Sequence, residues 1–153
     1  MDKKQIIGWK EWISLPALDI PAIKAKIDTG ARTSALHVFK LERFSNNGKE
    51  MVNFQIHPLQ KRSDVIVTSE AEIVDMRIVR DSGGHEEERL FINTPVLLKD
   101  KQWDIEISLT SRENMLFRML LGRTALVQGQ LCVDSSLTYT TGKYSRDTYN
   151  GNS

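Results

Sequence analysis

The stretch Ile23-Lys24-Ala25-Lys26-Ile27-Asp28-Thr29-Gly30-Ala31 decides the reading of this chain. Its first five residues alternate apolar and polar, the period of a strand with one buried face. Asp28 then sits on a tight turn. Gly30 lets the backbone bend where a Cβ would clash, and the Thr29 hydroxyl is placed to hydrogen-bond across the turn and stiffen it. The product is a carboxylate held at the end of a strand. Taken alone, the same residues also describe an ordinary Asx turn closing a strand. The sequence Asp-Thr-Gly occurs once in 153 residues, so a pair of such turns is expected from two chains.

A second segment separates these readings. Met119-Leu120-Leu121-Gly122-Arg123-Thr124-Ala125-Leu126 has bulky apolar residues, then glycine, then a short helical stretch. Together the two segments resemble the halves of the ψ-loop of aspartic peptidases, in which the second strand threads beside the Asp turn. The chain is therefore similar to the retropepsins, the single-lobed dimeric aspartic peptidases. Lys26 to His37 and Arg118 to Arg123 resemble, more closely, a bacterial family that goes by the name ATP-dependent zinc protease. That family is associated with an ATP-grasp ligase that adds glutamates to a ribosomal protein. The resemblance runs from about Gly8 to Tyr139 and extends to the Ser82-Gly83-Gly84 turn, Arg89-Leu90 and Val133-Asp134-Ser135.

Composition fits one domain with a modest core. Lys plus Arg is 21 and Asp plus Glu is 20, so no charge bias argues for nucleic acid or a membrane surface. The one cysteine, Cys132, excludes an internal disulfide and fits a reducing compartment. Its apolar run Leu131-Cys132-Val133 predicts a buried packing role. Met1 to Lys10 has no signal-like apolar core, and nowhere do 18 apolar residues run together. The expected location is the cytoplasm.

The pattern is mainly β. Strand-like runs are Gln5 to Trp9, Ala22 to Ile27, Met51 to His57, Asp64 to Thr68, Ala71 to Arg80, Arg89 to Asn93 and Trp103 to Leu109. Asn46-Asn47-Gly48, Asp81-Ser82-Gly83-Gly84 and Lys99-Asp100-Lys101 read as hairpin turns. Arg123 to Gln128 is the helical candidate. The expected fold is a small, closed, retropepsin-like β-barrel with one short helix, working as a homodimer. The domain is expected over 1–139, with a flexible tail over 140–153 where little is apolar.

The resemblance implies a chemistry. Asp28 is the catalytic residue, paired with its counterpart from a second chain. Two carboxylates about 3 Å apart share one proton and titrate together. One activates a water to attack the scissile carbonyl, and the other hydrogen-bonds the carbonyl oxygen. Thr29, Gly30 and Ala31 support the active-site turn, Thr29 by inter-chain hydrogen bonds and Gly30 by offering its carbonyl to substrate. Leu120, Leu121, Gly122 and Arg123 form the structural second motif.

Two departures from the retroviral pattern bear on substrate. The flap tip would fall around Pro58-Leu59-Gln60-Lys61-Arg62-Ser63, which is basic and lacks glycine; a plain solvated loop is the other reading. Arg32 occupies the place of an Asp that normally pairs with the residue at Arg123. An arginine facing the cleft would fork a carboxylate, so Arg32, with Lys61 or Arg62, would favour acidic peptides. A surface arginine without such a role is equally ordinary.

Zinc and ATP enter only through the family's name, and no cofactor is expected. His37, His57 and His85 fall in no His-Glu-x-x-His pattern, and no Cys-x-x-Cys exists. His37, nine residues past Asp28, is the one metal candidate, against a packed strand histidine. Gly142-Lys143-Tyr144 is no P-loop. Three readings stand: a dimeric aspartic endopeptidase trimming acidic tails, a non-cutting module that binds a peptide or the ligase, and a metal-dependent peptidase through His37.

Overall fold

The computed structural model describes residues 4–60, 62–80, 83–111, 116–142 and Tyr149. Among these the chain forms β1 (Gln5–Ile7), β2 (Lys10–Leu15), β3 (Ile20–Asp28), β4 (Ser34–His37), β5 (Lys40–Asn46) and β6 (Lys49–Ile56). Then follow β7 (Val67–Glu72), β8 (Asp75–Arg80), β9 (Glu86–Leu98), β10 (Lys101–Thr110), β11 (Met119–Gly122), α1 (Arg123–Gln128) and β12 (Leu131–Val133). A 3-10 turn, Pro16–Leu18, joins β2 to β3. The fold is mainly β with one short helix. None of the described helices is long and apolar enough to cross a membrane.

The main sheet runs β10-β4-β11-β3-β2-β9-β8, and β9 also pairs with β10. Pairings can thus be followed from β10 around to β9 and back, but the β2–β9 link is one register pair, Ser14 with Leu97. Inward side chains from these strands form the core: Ile13, Ile23, Leu36, Ile92, Ile107, Met119 and Leu121 are all at most 2 % exposed. Such burial is the main favourable term in folding. A second sheet, β5-β6-β7, adds Val52, Phe54 and Ile56 to the same cluster.

Turn chemistry matches the hairpins. Asn47 and Gly48 both have positive φ between β5 and β6, with Asn46 paired to Lys49, the two-residue turn an Asn-Gly pair favours. Lys99 takes the same left-handed conformation between β9 and β10. Asp81 and Ser82, predicted in the third turn, lie outside the described residues; Arg80 and Glu86 pair across it.

Three expectations need correction. Ala71 to Arg80 is not one strand: Ile73 N–H donates to Glu50 O and Val74 N–H to Phe91 O, so the chain crosses from the smaller sheet to the larger one there. Cys132 is exposed, not buried, because on β12 it points away from the core that Leu131 enters. Lys10–Leu15, Ser34–His37 and Lys40–Asn46 are strands absent from the predicted runs.

The chain ends meet. β1 and β12 form a parallel pair with Ile6 opposite Cys132. Residues past β12 fold back on β2: Trp9 N–H donates to Leu137 O and Tyr139 N–H to Lys10 O. Glu11, wholly buried, accepts from Gly8 N–H (2.6 Å), the Thr140 hydroxyl (2.6 Å), and both the N–H and hydroxyl of Thr141 (3.1 and 3.3 Å). The Tyr149 hydroxyl bonds the backbone of Ala22.

Candidate active site

β3 ends at Asp28, one residue past Ile27, the last of its side chains to enter the core. The Asp28 carboxylate is half-buried. Its Oδ1 accepts from Gly30 N–H (3.0 Å) and Ala31 N–H (3.2 Å). Those two bonds fix one oxygen by backbone alone. A Cβ on Gly30 would stand 3.3 Å from the same oxygen, crowding it. Thr29 and Gly30 are exposed, while Ala31 is half-buried.

The second motif straps this turn from beneath. β11 lies between β3 and β4, parallel to the first and antiparallel to the second, so Gly122 registers with Asp28 and Leu120 with Lys26 and Ala35. Leu121 is fully buried and fills the core under the turn. A Cβ on Gly122 would meet Thr33 C at 2.6 Å, Thr33 O at 2.8 Å and Ala31 O at 2.9 Å, all backbone, so only glycine allows this approach. Gly122 N–H donates to Ser34 Oγ (3.0 Å), and Ser108 Oγ to Ser34 O (3.3 Å). The first two amides of α1 then close the loop, Arg123 N–H on Ala31 O (2.7 Å) and Thr124 N–H on Arg32 O (3.1 Å). Arg123 Nη1 reaches Thr29 O at 3.4 Å. Amides that a helix start leaves unpaired thus hold the Asp loop. Ser34 lies within the Lys26 to His37 stretch, but nothing in that stretch singles it out; only its bond to Gly122 N–H shows its role.

The basic candidates separate. Arg32 is exposed and lines a cavity of about 660 Å³ with Thr33, Arg77, Asn93, Asp104 and Glu106. Its guanidinium has no ion pair or hydrogen bond among the described residues. Arg77 lies on β8, bridges Asp75 (2.6 Å) and Glu106 (2.8 Å), and stacks over Phe91. Arg62 is elsewhere, paired with Asp64 at 2.7 Å, and Lys61 lies outside the described residues. The loop they occupy has Pro58 and Leu59 buried and Gln60 bonded to Lys24 Nζ and Leu116 O. Lys24 is four residues before Asp28, about 13 Å away along a strand. That loop meets β3 at mid-strand, away from Asp28. The elements that share a cavity with Arg32 are β8, β9, β10 and α1 instead.

His37 does not join Asp28. It is buried at the end of β4, where its N–H donates to Arg118 O. Asp28 is level with Gly122, four residues further along β11. Among the described residues no group of three or more His, Cys, Asp or Glu could hold a metal ion.

A family model described as "Retropepsin-like aspartic endopeptidase RimB" matches residues 6–144. Proteins named "Probable alpha-L-glutamate ligase" are similar along nearly all of this chain. The one from Desulfotalea psychrophila is 43% identical over 94% of it, and the one from Shewanella pealeana 41% over 93%. The chain spans about a third, 31%, of each of these relatives. The crystal structure of Lpg0085, a Legionella pneumophila protein of unknown function, superposes with a TM-score of 0.75. It is 27% identical, over 90% of this chain and 98% of that one. With its Asp turn, its threaded second strand and this match over nearly its whole length, the chain belongs to the RimB-like family of retropepsin-like aspartic endopeptidases.

Proposed function

We propose that the chain is one half of a dimeric aspartic endopeptidase that trims acidic protein tails. The observation that carries the reading is the Asp28 carboxylate, oriented by two backbone amides on a turn strapped by Gly122, Arg123 and Thr124. In the dimer, one Asp28 is ionised and its partner protonated. The ionised carboxylate takes a proton from water as the oxygen attacks the scissile carbonyl. The protonated one donates a hydrogen bond to the carbonyl oxygen. Collapse of the tetrahedral species breaks the C–N bond as the leaving nitrogen takes a proton from the dyad. The reaction needs neither zinc nor ATP.

An acidic substrate is supported by Arg32, a guanidinium without a partner among the described residues, on the cavity next to the Asp loop. It is also supported by the names of the relatives: a domain like this one occupies about a third of chains named for glutamate ligation. Association with such a ligase follows as a proposal. An exposed free thiol, Cys132, suits a reducing cytoplasm. A second reading, a module that binds the tail without cutting it, draws on the same relatives.

The deciding experiment is mass-spectrometric cleavage of a glutamate-extended peptide by the wild type and by Asp28→Asn, each with and without chelator. We expect cleavage that Asp28→Asn abolishes and chelator leaves intact. Cleavage that survives Asp28→Asn but dies with chelator would overturn the aspartic reading in favour of metal. No cleavage of any acidic peptide across pH would favour the binding module.

A further inference from the structure

The ion pairs among the described residues all use arginine, and all lie on β5 to β10 or the loop after β6. Lysines on β2 and β3 are a different population. Lys24, Lys26 and Asp28 alternate outward along β3, while Ile23, Ala25 and Ile27 point into the core. On β2, Lys10 registers with Lys26 and Trp12 with Lys24. The charged side chains on this face of the β2–β3 pair, from Lys10 to Ser14 and Lys24 to Asp28, are therefore three lysines and the candidate nucleophile-activating aspartate. Glu11 faces the other way, held by Gly8, Thr140 and Thr141.

None of the three lysines has a carboxylate partner among the described residues; Lys24 has only the neutral Gln60 Oε1 at 2.9 Å. Two are held in place by aromatic rings. Lys10 Nζ lies 4.9 Å from the Trp9 ring centre and 5.1 Å from that of Tyr139. Lys24 Nζ lies 5.6 Å from Trp12 and 5.8 Å from Tyr139. Ammonium groups so placed are attracted to the ring faces and lose rotamer freedom before any ligand arrives. Preorganisation of this kind lowers the ordering cost of binding.

We infer that the Lys10–Lys24–Lys26 face is a binding track for an extended acidic peptide, leading along β3 to Asp28. Alternate residues of a strand are about 6.6 Å apart, and alternate carboxylates of an extended acidic peptide have the same spacing. Charge complementarity selects the occupant, and the track's continuity with Asp28 selects a peptide over other polyanions. Nucleic acid is disfavoured because the aromatic faces that would stack bases carry lysine ammoniums. The inference rests on the acidic-substrate part of the proposed function and not on its hydrolytic part.

The test is fluorescence anisotropy with fluorescein-labelled α-linked hexaglutamate, using Asp28→Asn protein so that nothing is cut. Hexaglutamine and an oligothymidylate serve as comparison probes. We expect the added triple change Lys10→Gln, Lys24→Gln, Lys26→Gln to weaken hexaglutamate binding at least about tenfold. Lys26→Gln alone, at an exposed position, should weaken it about threefold and decides the matter if the triple variant does not fold. Lys40→Gln with Lys49→Gln, exposed on β5 and β6, should leave it unchanged. The inference is overturned if hexaglutamate does not bind the Asp28→Asn parent, if the β5–β6 control loses as much affinity as the track variants, or if oligothymidylate binds as tightly. Binding that depends on the lysines, in a protein whose wild type cuts no acidic peptide, would sink the hydrolytic reading and leave this one standing.

Discussion

Gly122 shows at the scale of one residue how the second motif serves the first. Its missing Cβ is the space through which β11 approaches Thr33 and Ala31, and its N–H satisfies Ser34 Oγ. In Gly122→Ala the new methyl would meet backbone atoms on three contacts under 3.0 Å, and backbone yields far less readily than a side-chain tip. We expect a loss of about 3 kcal/mol or more, read as a lower denaturant midpoint, together with loss of activity. Ser34→Ala makes the informative comparison. It removes one acceptor from a buried N–H at a cost of about 1–3 kcal/mol without forcing the Asp loop to move, so it should reduce stability while most hydrolysis survives. Equal loss of activity in both variants, at temperatures where both are folded, would mean that the strap does more than hold the loop in place. Of these two residues only Gly122 was legible in the sequence, because a glycine after two leucines is a pattern. A serine in Arg32-Thr33-Ser34 is not.

The terminal elements are held by a different device. Glu11 takes an inward position on β2, beneath the segment that returns after β12, and its carboxylate accepts bonds from both sides of that junction. Burial pushes its pKa up, but the bonds from Thr140, Gly8 and Thr141 outweigh it and the net shift is downward. A carboxylate with a lowered folded-state pKa stabilises the fold fully above its unfolded value and loses that contribution as pH falls through the folded one. Wild-type stability should therefore drop on acidification below the ordinary glutamate range near 4.5. Glu11→Gln should be less stable at neutral pH by roughly 2 kcal/mol, with a flatter acid limb in urea melts followed from pH 7 to 3. An acid limb as steep as the wild type's would assign the acid sensitivity to other carboxylates. The same residue explains why β2 was missed. In Lys10-Glu11-Trp12-Ile13-Ser14-Leu15 a charged residue sits inside and a tryptophan outside, which inverts the expected alternation at its first two steps. β5 was missed for the opposite reason: both its faces are largely exposed, so no period marks it. By contrast, the Asn-Gly turn, the β3 alternation and the helix Arg123–Gln128 were legible because each depends on local chemistry alone.

For the whole molecule the decisive quantity is how many chains make one site. Each chain carries one Asp-Thr-Gly turn, and the dyad chemistry needs two. The proposed dimer has a surface available for it at the β1–β12 pair, where Ile6 is 57% exposed beside the exposed Cys132 and no third strand joins the pair among the described residues. Open strand edges invite pairing with another chain. Two measurements separate a two-chain site from a single-chain one. Activity per chain should rise with protein concentration until the dimer is saturated, with Ile6→Asp shifting that rise to higher concentration. Mixing supplies the sharper result. If Asp28→Asn chains are added in threefold excess and allowed to exchange, random pairing leaves about a quarter of wild-type chains with a wild-type partner. Activity per wild-type chain should fall to about that fraction, or somewhat above it where a mixed dimer keeps residual turnover. An unchanged rate per wild-type chain, with exchange verified by sedimentation of differently labelled chains, would mean that one Asp28 suffices. The shared-proton mechanism would then have to give way to one in which a single carboxylate activates the water and another group on the same chain stabilises the carbonyl oxygen.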